Sequence, residues 1–434
     1  MIVFIHGVFL YGVISFDFPK PGIWNAPTKW FGSLNERLTY DSVSTRTLHS
    51  DDLELVHEND RIFANNSYLL PCDQGEQDRL AILHQVFFYA LKGELCTTKI
   101  TSSMRRILDL GTGPGEWAVA MSQKYPHIEV VGIDLAVWDL EATEGSVGEG
   151  RVTWEIDDLD VWAPDHQLED LTGRLEILSP FGYPRHLKQG DLKGKGKLPL
   201  AQAHIPDEIP FDPSVLEQHA QVGWHFSEPF DFVHMRGLKG AFAYWEDVYA
   251  EIYKNLNPGG FVEVVDLELT FPDLPSPSEP GAASAPSAGE SGPDPSALPA
   301  IRALYKSLMT ASFKCGRPLG TFYMHPSYLE DAGFKDVRTT YVNVPVGTWP
   351  DDPEQKRIGK MFLVVLMESL EPYSLRLLSK YGDSEKVWTA EEIRAAVEVC
   401  KKEILEWENR VQRDGASGWC ATFKWMVGRK SKNA

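Results

Sequence analysis

The sequence predicts an α/β protein, a doubly wound sheet whose strands alternate with helices. Three observations predict it. Short apolar runs alternate with helical-period segments from residue 106 to residue 267. One of those runs ends in the glycine-rich loop Gly111-Thr112-Gly113-Pro114-Gly115, and the next ends in an acidic residue, Asp134. Strands that alternate with helices are joined by right-handed crossovers, which lay them parallel in one sheet.

Taken in order, residues 106–110 form a short apolar run stopped by glycines, and 116–124 carry a helical pattern. Residues 128–135 read as a second buried strand and 152–156 as a third. The fourth strand is read over 230–234, a helix over 245–256 and the fifth strand over 260–267. Helices at 298–312 and 326–332 follow, then a strand at 335–344. Two further helices (356–381 and 390–413) precede a last strand at 421–427. Ahead of the glycine loop, Leu80, Leu83, His84, Phe87 and Phe88 recur at the spacing of a buried helix face.

Two segments break the pattern. Residues 164–223 hold scattered prolines and the polar run KQGDLKGKGK, and 272–299 are mostly Pro, Ser, Ala and Gly. The second cannot bury enough surface to offset its ordering entropy and is expected to be a flexible loop. Both read as insertions into one domain spanning 59–434, after an N-terminal extension over 1–58. The apolar start, residues 1–16, lacks a basic leader and is too short to span a bilayer as a helix, so a buried or poorly ordered extension is expected in preference to a membrane anchor.

A chain of 434 residues with 42 Lys+Arg against 62 Asp+Glu carries a net charge of −20, which repels a phosphate backbone and argues against nucleic acid. The five cysteines are scattered, without CxxC or Cys/His spacing, so neither a metal site nor a disulfide framework is read. Reduced thiols imply an intracellular protein, in the cytoplasm or the nucleus.

The glycine loop carries the chemistry. The first strand delivers Asp109 to the carboxyl edge of the sheet, where open α/β sheets bind ligands. Gly111 and Gly113 let a ligand lie against the backbone, and the helix after Gly115 points its N-terminus at the site. A dinucleotide wants GxGxxG with amides facing pyrophosphate. This loop is GxGxG, Pro114 removes one amide, and Asp109 and Glu116 flank it with negative charge. Carboxylates repel pyrophosphate but suit the ammonium of a methionine moiety, so the ligand read here is S-adenosylmethionine. Asp134 follows the loop by about 20 positions, where a carboxylate accepts from ribose hydroxyls. Leu135 beside it can cover an adenine face. Asp158, or its neighbour Asp157, offers a carboxylate to the adenine amino group, with Leu159 as an apolar neighbour.

With those residues in hand, the chain resembles the fungal LaeA-like methyltransferases of secondary metabolism. The specific parts are Asn66-Ser67-Tyr68-Leu69-Leu70-Pro71-Cys72-Asp73 with Glu76, Arg79 and His84, and Val344-Pro345-Val346-Gly347-Thr348-Trp349-Pro350. Phe232-Val233-His234-Met235-Arg236, Asn257-Pro258-Gly259-Gly260, Gly359 and Gly428-Arg429-Lys430 extend the match to about residues 58–430 outside the insertions. The resemblance implies a class I methyltransferase domain, a seven-stranded sheet whose antiparallel last strand is inserted beside the fifth. It also makes Tyr68 a cofactor contact on a lid segment.

Methyl transfer is an in-line displacement in which positioning does much of the work, and a base helps only if the acceptor must lose a proton. His234, read at the tip of the fourth strand, is the candidate base, or else a histidine bonded beside a turn. Arg236 either pins an anionic substrate or pairs with a surface carboxylate. His84 reads as a core histidine. Trp24, Trp30 and Trp349 line an aromatic pocket or belong to the core. The acceptor is expected to be a small molecule. The other reading is a regulatory protein acting through protein partners, or methylating one.

Overall fold

A computed structural model describes residues 55–66, 68–138, 151–160, 223–224, 226–271, 298–414 and 418–433. The expected flexible loop up to residue 297, nearly all of the 164–223 insertion, the first 54 residues, Trp24 and Trp30 lie outside these.

The strands of the main sheet are β3 (Arg106–Leu110), β4 (Glu129–Asp134), β5 (Arg151–Ile156), β6 (Phe230–Arg236), β7 (Leu256–Leu269), β8 (Lys335–Val346) and β9 (Trp419–Arg429). Their order is β5-β4-β3-β6-β7-β9-β8. The first five run parallel, and β9 is antiparallel to both β7 and β8. This is the sheet the resemblance implies, with the last strand between β7 and β8.

The described helices are α1 (Gln74–Ala90), α2 (Glu116–Lys124), α3 (Trp245–Lys254), α4 (Pro299–Lys314), α5 (Pro326–Asp331), α6 (Pro353–Lys380) and α7 (Ala390–Asp414). They cover both faces. Trp245 and Tyr249 of α3 and Tyr328 and Leu329 of α5 pack with Val233 and Met235 on one face. On the other, Trp117 and Ala118 of α2 meet Ile107 and Phe232, and Phe87 of α1 joins α4, α6 and α7 against Phe423 and Trp425. A parallel sheet buried on both sides explains the continuous apolar strands, Ile107, Val130 and Val131 being sealed from solvent.

Several boundaries differ from the sequence reading: Leu256, read as the end of a helix, instead opens β7, and two other differences bear on the site. β6 runs to Arg236, two residues beyond the expected end, so Arg236 rather than His234 stands at its tip. A hairpin of β1 (Val56–Glu58) and β2 (Arg61–Phe63) straddles residue 58, where an N-terminal extension was expected to end. Arg376 of α6 explains that ordering. It lies over the Phe63 ring and bonds Glu58 Oε2 at 3.0 Å, so the hairpin packs on the domain.

α1 begins where Asp73 caps it, accepting from the Glu76 amide at 3.1 Å while the same carboxylate takes Arg61 through Nε and Nη2. That cap fixes the direction in which α1 enters, and with it the wall of the site.

Candidate functional site

The ends of β3, β4 and β6 open into two adjoining spaces. A cavity of about 220 Å³ is bounded by the glycine loop, α1, the tip of β6, α4 and α6. A recess of about 60 Å³ lies beyond β4, between Leu135, Asp157, Asp158 and Leu159 on one side and Phe242 and Arg317 on the other. Tyr68, Gly111, Asp134 and Leu238 line both, and so mark the junction. The sequence-predicted cofactor residues therefore come together around this junction, with one exception. Gly115 lines neither space. It caps α2 with φ 85°, and a Cβ there would meet the Trp154 ring at 2.4 Å, so its bareness serves packing. Gly111 also needs a correction. Its φ of 67° is one that L side chains rarely adopt, and an added Cβ would meet a Leu238 methyl at 2.3 Å, so the protein itself disfavours a side chain there whatever the ligand does.

Asp134 organises the junction. Its Oδ2 accepts from the Gly113 amide at 2.8 Å, and its Oδ1 from the Ala136 amide at 2.9 Å and Trp138 Nε1 at 3.1 Å. Three of about four lone-pair positions are thereby used, leaving room for one further donor. Burial pushes its carboxyl up despite those bonds, so it gains from another donor. The β4 tip and the loop are tied by one side chain.

Asp109 is buried beneath the loop. Its Oδ2 accepts from Thr112 Oγ1 at 2.7 Å, and its Oδ1 faces His234 Nδ1 at 2.8 Å. The His234 ring lies flat on Trp117, centroids 3.7 Å apart and 3° from parallel. It is 1% exposed and lines neither space. The base reading of His234 thus meets a physical obstacle: no acceptor in the cavity reaches it. What the geometry supports is a positioning role, with the ring orienting Asp109. Arg236, two residues on, is the β6 side chain that reaches the cavity.

His84 is buried as expected, yet it also lines the cavity, and its Nδ1 accepts from Arg236 Nη2 at 3.2 Å. Burial, helped by the Arg236 charge, pulls its pKa down to about 3, so the ring is neutral. Glu116 at the start of α2 faces the same space, and burial pushes its carboxyl up.

Tyr68 is held through its backbone: its amide donates to Asn65 Oδ1 at 2.7 Å and its carbonyl accepts from Arg376 Nη1 at 2.6 Å. Burial pushes its phenol up. Asp157 and Asp158 both line the recess and both are exposed at its rim, so the choice between them stays as it was. Leu159 is buried, and its carbonyl accepts from Trp224 Nε1 at 2.9 Å. Trp349 donates Nε1 to the Trp419 carbonyl at 3.2 Å, away from both spaces.

Several site residues escaped the sequence reading. Asp160 pairs with Arg317 at 2.5 Å in the recess, and Lys239 with Asp266 at 2.9 Å on the cavity wall. Asp160 was signalled by the acidic run after β5. Ile301, Leu304, Phe362, Val365 and Leu366, the apolar wall, come from helices whose periodicity showed only that they were buried somewhere. Among the described residues no group of three metal-ligating side chains converges.

An apolar recess with rim carboxylates, joined at the half-buried Asp134 to a cavity floored by Asp109 and Glu116, suits a nucleoside with a cationic tail. Residues 84–296, which contain these elements, match the family described as a methyltransferase domain. The chain is an S-adenosylmethionine-dependent methyltransferase. Its sheet is that of class I. The methyltransferase is 26% identical to the secondary metabolism regulator LAE1 of Cochliobolus heterostrophus over 322 residues, 73% of this chain and 78% of that one. It is 24% identical to the protein-methionine methyltransferase laeA of Emericella nidulans over 370 residues, covering 83% of this chain and 73% of that one. The LaeA resemblance read from the motifs is therefore borne out. Among solved structures, a phosphoethanolamine N-methyltransferase 2 of Haemonchus contortus is similar, with TM-score 0.36 and 14% identity over 85% of this chain and 55% of that one. Among the described residues no helix is long and apolar enough to cross a membrane.

Proposed function

We propose that this enzyme methylates a small, largely apolar acceptor of fungal secondary metabolism, seated in the 220 Å³ cavity beside the glycine loop. The observation that carries the reading is the wall opposite the loop, where Ile301, Leu304, Leu308, Phe362, Val365 and Leu366 present hydrocarbon to whatever lies over Asp109 and Gly113. A pocket of that kind gains from burying an apolar ligand. In this reading Asp134 accepts from the ribose, Leu135 and Leu159 cover the adenine, and Asp158 or Asp157 takes its amino group. Tyr68 closes over the junction, and Asp109, Thr112 and the Gly111–Gly115 loop hold the methionine end. Bound S-adenosylmethionine supplies an activated methyl group. The chain supplies orientation and exclusion of water, and with His84 neutral and His234 sealed, proximity is its main contribution.

The enzyme would work in the cytoplasm or nucleus as one domain, with residues 164–223 and 272–299 as insertions. A second reading, a protein acceptor or a regulatory role through a protein partner, is favoured by what the relatives are named. Labelled S-adenosylmethionine, offered with the purified chain to small-molecule and protein fractions of the source organism, separates the two. Label in an organic-soluble product is expected; label confined to polypeptide would sink the small-molecule reading.

A further inference from the structure

Three cationic side chains line the cavity, and two of them are neutralised. Arg79 grips Glu76 through two bonds of 2.8 and 2.5 Å, and Lys239 pairs with Asp266 at 2.9 Å. Arg236 makes no ion pair among the described residues. Its guanidinium sits 5.2 Å from the Phe87 ring centroid and among the described residues gives a single hydrogen bond, from Nη2 to His84 Nδ1. Asp109 and Glu116 feel its charge without bonding it. A guanidinium carries five N–H donors and accepts nothing, so most of this fork is unused.

The bond it does make has a consequence for its neighbour. Because Arg236 can only donate, His84 Nδ1 must accept, and the proton of the neutral ring is then on Nε2. Both side chains therefore offer donors to the cavity, and neither offers an acceptor. A half-buried cation beside a second donor gains from an anion that completes it, and a guanidinium fork matches a carboxylate best.

We propose that Arg236 and His84 form a carboxylate-binding pair at the tip of β6. The carboxylate belongs either to the amino-acid end of the methyl donor or to an acidic acceptor. Sequence alone left Arg236 between an anionic substrate and a surface carboxylate; its place on the cavity wall removes the second. The inference rests on the cavity being the methyl-transfer site proposed above.

The test uses the full chain and four compounds in calorimetry. S-adenosylhomocysteine carries the amino-acid end, 5′-methylthioadenosine lacks it, and octanoate against octan-1-ol, added to enzyme saturated with S-adenosylhomocysteine, reports an acidic acceptor. If the carboxylate is the donor's, Arg236→Gln weakens S-adenosylhomocysteine by about 10–100-fold and leaves 5′-methylthioadenosine unchanged. If it is the acceptor's, both nucleosides bind as before, while octanoate binding, present in the wild type and stronger than that of octan-1-ol, is lost. His84→Leu should show the same selectivity to a smaller degree, and serves where Arg236→Gln does not fold. Variants that weaken both nucleosides equally, or that leave S-adenosylhomocysteine and octanoate untouched, would overturn the pair. A wild type that binds neither nucleoside would instead defeat the proposed site itself.

Discussion

His234 lies flat against Trp117 and turns its Nδ1 to Asp109, 2.8 Å away, so the imidazole sits behind the loop carboxylate instead of in front of it. A ring in that position acts through Asp109. His234→Ala should remove a buried stacking partner and leave Asp109 short of a donor, costing about 2–4 kcal/mol of stability. Denaturant melts should show that loss. A fully stable variant with kcat down by ~100-fold or more would restore the base reading.

Asp134→Ala should weaken S-adenosylhomocysteine by about 1–3 kcal/mol, because a charged acceptor at the junction is lost. It should also loosen the loop, since the Gly113 and Ala136 amides and Trp138 lose their common partner. Calorimetry on the folded variant with unchanged affinity would remove Asp134 from the site.

The contrast between Asp134 and His234 shows what could be read in advance. The boundaries of β3 and α2, and Asp134 at the end of β4, were legible because each is set locally, by an apolar run, a glycine loop and a strand tip. His234 was misplaced because alternation along a strand does not say which residue is last. Two more residues of β6 move the tip to Arg236. The segment from Val344 to Pro350, so specific to the family, carries structure. Gly347 accepts a place where its amide meets the Gly359 carbonyl at 3.1 Å, and Thr348 bonds Glu408 of α7. A side chain on Gly359 would strike the Gly347 carbonyl at 2.1 Å. The cavity wall from α4 and α6 was illegible because tertiary packing alone decides which part of a buried face borders a void.

Gly111→Ala tests whether protein or ligand forbids a side chain there. The positive φ should cost about 1 kcal/mol and the Leu238 contact about 1–3 kcal/mol more. Adding Leu238→Ala relieves the second contribution only. Thermal melts should show the double variant losing less than the sum of the single losses; strict additivity would mean that the two do not touch.

His84 makes stability depend on pH. Its folded pKa, about 3, lies below the ordinary value of 6.5, so the unfolded chain takes up a proton that the folded one refuses. Its contribution is complete above about pH 6.5 and is lost as pH falls towards 3, at up to ~1.4 kcal/mol per unit. His84→Gln should flatten that limb of the unfolding free energy against pH relative to wild type. Parallel curves for the two proteins would show that His84 titrates normally.

Arg376 is the remaining test, because it joins the N-terminal hairpin to the site. It is 1% exposed, and its Nη1 reaches the carbonyls of Asn65 and Tyr68, each at 2.6 Å, while Nε holds Glu58. Those bonds fix the backbone of Tyr68 over the junction of cavity and recess. Arg376→Ala strands two carbonyls and leaves Glu58 with Lys380 at 3.3 Å, a change expected to cost about 3–5 kcal/mol if the hairpin stays docked. Release of the hairpin is the cheaper response, since residues 55–72 can then reach water while the sheet stays intact. Hydrogen exchange should therefore speed up over Val56–Glu58 and Arg61–Phe63 with β3 and β6 still protected, and S-adenosylhomocysteine should bind several-fold more weakly. Arg376→Lys restores the charge without the fork and should recover part of both effects. Unchanged exchange in the hairpin, or affinity unaffected once it has come free, would mean that Tyr68 does not depend on Arg376 for its place at the site.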